Sequence, residues 1–442
     1  MTDFQSCYHH PEPNQSIFLS KTTASITAED IVSEIDAEIT LQLLPNARIE
    51  IRASYPKRLT PHYLLGNPID IKHIPGFCVR MNAKGTDTKF VWRPKHEPVI
   101  GIGDPNTKLK HVIFHIFNFS EIIGTRRTKE KSGKSIFAIE HVNFEDSDWA
   151  IEIKSLVSTS NVFEALKEKG GYGLTHIGFL SRKNNTSFTG REAENYLSAL
   201  NYFLSFSKGM WCHPCLAVGF NNKGRKKAKV WEAWSSPRGQ WADPLSWFDP
   251  HHCGQISSLF PGFMDKWKNE EWQKALREVI YWYLSSNCST LGRGIGIDAG
   301  IILTQAAIER LSFEYAVRSR KLIGVEGFKN LKASDKFRLL FSSLNIPINI
   351  PRSLKDLQNL SQKNKWHDAP HALTEVRNTL VHPEHKRRGQ FDQAFFSTWN
   401  LSQWYLELAI LRICNYSGTY SNRLTQGYVG QVEDVPWDNV VF

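Results

Sequence analysis

The sequence predicts an α+β protein: a β-rich, mixed N-terminal region over residues 1–265, followed by an all-α helical bundle over residues 266–442. Three observations predict it. Before residue 265, short segments alternate apolar and polar side chains, and Gly and Pro punctuate the intervals between them. Beyond it, apolar residues recur every three or four positions over long stretches. A chain of 442 residues is also too long for one ordinary core, so two domains are expected.

The alternating segments include Ile49-Ile51-Ala53, Val112-Phe114-Ile116 and Trp149-Ile151-Ile153, each placing apolar side chains on one face of a strand. One helix interrupts them near 191–206, where Tyr196, Leu200 and Phe203 keep helical spacing. A hairpin is expected next, from Leu216-Ala217-Val218 through the Asn221-Asn222-Lys223-Gly224 turn to Val230-Trp231. In the second half, Trp272, Leu276, Val279 and Tyr283 mark one helix, and Ile297, Ile301, Ile308, Leu311 and Tyr315 another. Leu373, Val376 and Leu380 mark a third, which leads into Val381-His382-Pro383. Phe395, Trp399, Leu406, Ile410 and Ile413 mark a fourth. Helices that are apolar along one stripe must cover one another, which makes a bundle the simplest architecture.

The composition, 41% hydrophobic and 22% charged, is that of a folded protein. No run of eighteen apolar residues occurs, and Glu407 and Arg412 break the last helical segment, so no membrane span is expected. The start of the chain has no basic stretch leading into an apolar core, and the seven cysteines are odd in number and scattered from Cys7 to Cys414. Both features point to a reduced, cytoplasmic setting. A net charge of +10 permits attraction to a phosphate backbone without establishing it.

The segment Glu375-Val376-Arg377-Asn378-Thr379-Leu380-Val381-His382-Pro383 carries the chemistry. RNA is cut without metal when one group takes the proton of the 2′-hydroxyl, another protonates the leaving oxygen, and a cation steadies the charged phosphorane. Histidine suits the proton transfers, and arginine, always charged and forked, suits the phosphate. Asn378 and His382 lie one turn apart, so the amide is placed to orient the ring. Arg377 projects about 140° away from His382 on an ideal wheel, so it must bend round or serve the imidazole of a second subunit. Pro383 disfavours helical geometry at His382 and is expected to end the helix there. An arginine followed five positions later by a histidine arises by chance about once in a chain of this histidine content, so spacing alone decides nothing.

Context adds to it. Arg377-Asn378-Thr379-Leu380-Val381-His382, followed by Pro383, resembles the motif of the HEPN superfamily, in particular the ApeA-like HEPN proteins of prokaryotic defence systems. The flanks are similar in layout: Ala306-Ala307-Ile308-Glu309-Arg310-Leu311, Leu354-Lys355-Asp356-Leu357 and Asn415-Tyr416-Ser417-Gly418. The resemblance covers roughly residues 266–424 and implies a helical HEPN domain over residues 266–442. It further implies a homodimer whose two Arg/His motifs share one cleft. Arg377 would bind the scissile phosphate, His382 would transfer protons, and Asn378 would support the ring. The products would be 2′,3′-cyclic phosphate and 5′-hydroxyl ends, with no metal and no cofactor.

By the same resemblance the chain would be an anti-phage abortive-infection or toxin effector. Its N-terminal region, residues 1–265, would sense an unknown trigger or restrain the helical half. The alternative is a non-catalytic HEPN module that binds RNA or a nucleotide and dimerises. Lys386, Arg387 and Arg388 would hold an RNA backbone, or form a solvated loop. Arg126-Arg127-Thr128-Lys129 is read with the same two alternatives, and Lys223-Gly224-Arg225-Lys226-Lys227 reads as a basic hairpin tip. Glu309 would pair with Arg377 or sit in a structural ion pair. Cys212-His213-Pro214-Cys215, with His251-His252-Cys253 downstream, has donors for a structural zinc, against the plainer reading of small buried thiols. Gly292-Arg293-Gly294-Ile295-Gly296 lacks the lysine of a phosphate-binding loop and reads as a turn before a helix.

Overall fold

The computed structural model describes residues 4–9, 12–28, 31–54, 68–71, 74–84, 87–129, 135–139, 141–156, 159–223, 226–290, 296–382 and 389–438. The chain forms two compact units. The first comprises Met1–Glu121, Ser147–Leu200 and Cys212–Trp241, and the second Ile122–Asp146, Asn201–Trp211 and Ala242–Phe442. The class is α+β, β-rich in the N-terminal part and helical in the C-terminal part. The change to helical periodicity read at residue 265 falls inside a helix, Gly254–Lys268.

The first unit opens with six antiparallel strands, β1 (Ile17–Ala28), β2 (Ile31–Gln42), β3 (Arg48–Ser54), β4 (Pro68–Ile71), β5 (Ile74–Lys84) and β6 (Asp87–Pro94). They close into a barrel in the order β1-β2-β3-β6-β5-β4, sealed where Ile26 and Thr27 of β1 face Ile71 and Asp70 of β4. The register explains the interior. Ala37, Ile39 and Leu41 of β2 stand opposite Ala53, Ile51 and Ile49 of β3, and all six are buried. Glu34, Asp36 and Glu38 alternate with them and are exposed. Phe90 and Trp92 of β6 fill the centre. Side chains two apart share a face, so this alternation is what a small closed sheet requires.

Next come β7 (Val99–Ile102), β8 (Lys108–Leu109) and β9 (His111–Phe117). The following strands, β10 (Ile123–Lys129), β11 (Ser135–Ile139) and β12 (His141–Glu145), belong to the second unit. The first unit resumes with β13 (Trp149–Ser155), α1 (Thr159–Lys169), β14 (Leu174–Arg182), β15 (Phe188–Thr189) and α2 (Gly190–Lys208), whose last residues belong to the second unit. It ends with β16 (Pro214–Lys223) and β17 (Lys226–Trp234). The sheet here runs β13-β14-β9-β16-β17-β7, and β15 pairs with β8. The expected hairpin is β16–β17, with Asn222 facing Lys227.

Val112, Phe114 and Ile116 of β9 are buried as expected, and the other residues of the strand are buried as well. It lies between β14 and β16, so its polar side chains need internal partners. His115 has them, with Nδ1 2.9 Å from the Leu216 carbonyl and Nε2 3.1 Å from Ser6 Oγ.

The second unit contains α3 (Gly254–Lys268), α4 (Glu270–Thr290), α5 (Ile297–Phe313), α6 (Val325–Asn330), α7 (Ala333–Ser343), α8 (Lys355–Asn364), α9 (Ala369–Val381) and α10 (Phe395–Ile413). A short pair, β18 (Thr419–Tyr420) with β19 (Glu433–Asp434), follows. Helix α5 packs on α4, α7 and α10, and α9 packs on α7 and α10. The sequence gives α10 an apolar stripe, but every residue from Ser397 to Leu411 is buried. Its polar side is therefore part of the core. The Tyr283 hydroxyl donates to Glu407 Oε1 at 2.6 Å, and Arg423 donates to both carboxylate oxygens at 2.6 and 3.0 Å. Among the described residues no helix is long and apolar enough to cross a membrane.

Candidate functional site

The candidate site stands at the C-terminal end of α9, and the other end of that helix is firmly fixed. Asp368 is the N-cap, extended at φ −160°, and its Oδ1 accepts from the His371 backbone N–H at 2.9 Å. Pro370 in the first turn is pre-set for helical φ and forfeits no intrahelical bond there. Arg338 of α7 donates Nε to Asp368 Oδ2 at 2.7 Å and a terminal nitrogen to Oδ1 at 3.1 Å. Ala369, Ala372, Leu373, Val376 and Thr379 form the buried face. Gln305 of α5 donates its amide to the Leu373 carbonyl at 2.8 Å, a tie at mid-helix.

The helix stops at Val381, as Pro383 requires. His382 is extended at φ −108° and ψ 103°, and its backbone N–H closes the last turn on the Asn378 carbonyl at 3.1 Å. Its side chain is exposed, while Arg377 and Asn378 are half-buried. Because His382 has left the helix, the angle expected from a helical wheel no longer governs where its ring points. Arg377 Nε is buried and has no hydrogen-bond partner among the described residues. A buried guanidinium N–H without an acceptor is costly.

Lys386, Arg387 and Arg388, expected to hold an RNA backbone, lie outside the described residues, as do Gly292–Ile295. The side chains of Arg126, Arg127 and Lys129 and of the Lys223–Lys227 tip also lie outside the description. Gly296 is described, and at φ 91° it caps α5 in the left-handed region that glycine tolerates. Glu309 bonds to Lys336 at 2.6 Å, so of its two expected roles the structural ion pair is the one present.

The Cys212/Cys215 thiols do not face a common centre through their described bonds. Cys212 Sγ is 3.4 Å from the Phe117 carbonyl, whereas Cys215 Sγ contacts His213 at 3.3 to 3.8 Å. Burial pushes the Cys215 thiol well above its ordinary pKa. His251 and His252 belong to the second unit and bond within it. His251 Nδ1 lies 3.3 Å from Asp249 Oδ1, and His252 Nε2 lies 3.3 Å from the Gly430 carbonyl. Among the described residues no group of three or more His, Cys, Asp or Glu is arranged to hold a metal ion.

Sequence reasoning missed the Arg338–Asp368 pair that positions α9. The Asp368-Ala369-Pro370 start was a usable signal for the cap, since a side-chain acceptor before a first-turn proline marks a helix N-terminus. Nothing in the sequence pointed to Arg338, which reaches Asp368 across the bundle.

The chain is thus of an α+β class in which a barrel and sheet unit accompanies a helical unit bearing an Arg/His helix end. In sequence it is similar to YopA: residues 104–244 match the family model of the YopA central domain and residues 269–434 that of the YopA C-terminal domain. It is 28% identical over 451 residues to the SPbeta prophage-derived uncharacterized protein YopA of Bacillus subtilis (strain 168), with 98% of each chain covered. No solved structure matches. The Arg377 to His382 segment lies inside the matched C-terminal domain. Both matched models are YopA models, and the HEPN resemblance rests on the residues alone.

Proposed function

We propose that this chain is a metal-independent endoribonuclease of HEPN type, active in the cytoplasm as a homodimer and serving as an anti-phage abortive-infection or toxin effector. One observation carries the reading: at a single helix end, an exposed imidazole, His382, accompanies a guanidinium, Arg377, whose Nε is buried with no partner among the described residues. An imidazole free to reach substrate suits proton transfer, and an unpaired guanidinium suits a phosphate oxygen. One protomer supplies one histidine here, while cleavage needs an acid and a base. A second copy facing the first completes the pair. Arg377 steadies the phosphorane, His382 of each copy moves a proton, and Asn378 orients the ring. Release gives a 2′,3′-cyclic phosphate and a 5′-hydroxyl. Lys386, Arg387 and Arg388 follow His382 in the chain and hold the RNA backbone, while the N-terminal region receives the trigger. The prophage origin of the YopA relative fits a role in conflict between phage and host.

The test is cleavage of end-labelled RNA by the purified chain in the presence of EDTA. Arg377→Ala and His382→Ala are each expected to lower the rate about 10²- to 10⁴-fold while leaving the melting temperature near that of the parent. The 3′ ends should resist enzymatic tailing until the cyclic phosphate is removed, while the 5′-hydroxyl ends should accept phosphate from a polynucleotide kinase directly. Cutting that survives both substitutions refutes the assignment. RNA binding without cutting by the parent leaves a non-catalytic binding module.

A further inference from the structure

We propose that Trp211, Tyr281 and Arg277 form a platform on which an unpaired base of single-stranded RNA stacks, with its phosphate on the guanidinium; this rests on the reading of RNA as the substrate. The rings come from three parts of the second unit. Tyr202 sits on α2, Trp211 follows that helix, Phe263 and Trp267 lie on α3, and Arg277 and Tyr281 are one turn apart on α4. Phe263 and Trp267 are buried and stack at 5.6 Å between centroids. Tyr202 lies on Trp267 at 5.1 Å and meets Trp211 edge-on at 5.7 Å. Trp211 and Tyr281 are 6.4 Å apart. The cluster therefore has a closed floor and an open edge: Tyr202 and Trp211 are half-buried, and Tyr281 is 53% exposed.

Arg277 distinguishes this edge from an ordinary surface aromatic. Its guanidinium lies 5.3 Å from the Trp267 ring and 5.8 Å from Tyr202. It is exposed, and among the described residues no carboxylate pairs with it. The charges around it are consumed. Lys274 pairs with Glu270 and Glu271, Arg310 with Glu278 and Glu314, and Arg318 with Glu271. A nucleotide presents a π-face and a phosphate, and this edge offers a partner to each. A protein partner needs a broad apolar patch, yet of the rings in this cluster only Tyr281 is exposed.

The experiment uses the full chain and fluorescence anisotropy with an unstructured 2′-O-methyl oligonucleotide, which cannot be cut, and with its abasic counterpart of equal charge. The base-bearing strand is expected to bind roughly 5- to 150-fold more tightly per stacked base. Tyr281→Ala and Arg277→Ala should collapse that ratio, Tyr281→Phe should preserve it, and thermal melts should show the fold retained. Equal binding of the two strands by the parent overturns the platform, as does a ratio unchanged in Tyr281→Ala. Because these strands are inert to cleavage, the two readings fail separately. A chain that stacks bases yet cuts no RNA keeps the platform and loses the ribonuclease. A chain that cuts RNA but ignores the base loses the platform alone.

Discussion

Replacing Glu407 by glutamine should strongly destabilise the helical unit, and the same site shows how the cost divides. Glu407 and Arg423 are 1% and 0% exposed, and their contacts are 2.6 and 3.0 Å. The Tyr283 hydroxyl supplies a third bond at 2.6 Å, and burial together with the neighbouring carboxylate holds that phenol firmly protonated. Glutamine keeps the shape but removes the charge, leaving a buried guanidinium uncompensated and an amide N–H₂ facing donors. Breaking a buried pair in this way costs about 3–5 kcal/mol. With a urea dependence of about 3 kcal/mol per molar, the midpoint should fall by about 1 to 2 M. The triple variant Glu407→Leu, Arg423→Met, Tyr283→Phe removes the three side chains together, leaving the Leu245 carbonyl that Arg423 also reaches at 2.8 Å, and should recover most of that loss, since burying paired ions costs nearly what their attraction returns. Urea unfolding followed by far-UV circular dichroism measures both. A loss below about 1 kcal/mol in Glu407→Gln, or a triple variant as unstable as the single, would refute the argument.

Two further outcomes follow from buried groups. His176 is buried against Phe119, with Nε2 3.0 Å from Ser155 Oγ, and burial lowers its pKa from 6.5 to about 3. Folded chains therefore keep it neutral while unfolded chains protonate it below pH 6.5, so its contribution is complete above 6.5 and declines as pH falls toward 3. By pH 5 about 2 kcal/mol is lost, and urea midpoints at pH 7.5 and 5.0 should converge in His176→Gln relative to the parent; an equal pH response in both removes His176 as the cause. Gly262 on α3 meets the end of α10 so closely that a Cβ would lie 1.8 Å from the Cys414 carbonyl oxygen. Gly262→Ala should cost about 1–3 kcal/mol by forcing the helices apart, and a melting curve identical to the parent's would show that the contact yields freely.

Local periodicity carried much of the fold. Ile49, Ile51 and Ala53 face the barrel interior, and the hairpin and α2 fall where alternation and helical spacing put them. Closure of the barrel was not legible, because the pairing of Ile26 with Ile71 joins residues far apart in sequence and no local pattern encodes it. The full burial of β9 and α10 was not legible, for one cause. In each, polar side chains on an otherwise apolar element look like a solvated face but are satisfied internally. His115 bonds to Leu216 and Ser6, Glu407 to Arg423, and Ser397 to Asp356 at 2.6 Å. Sequence pattern registers polarity, and a hydrogen bond can meet the same need that water does.

At the candidate site, the terminating role of Pro383 was legible because it acts on its immediate neighbour, whereas the support beneath the site was not. That support is lopsided. The first turn of α9 is held by Asp368, which takes two bonds from Arg338 and one from its own helix, and Gln305 grips the middle. The last turn offers an exposed imidazole and a guanidinium nitrogen that nothing among the described residues satisfies. An unmet buried donor is a cost. The proposed ribonuclease would use this arrangement, with the base of α9 held in place and its C-terminal end left to meet a substrate.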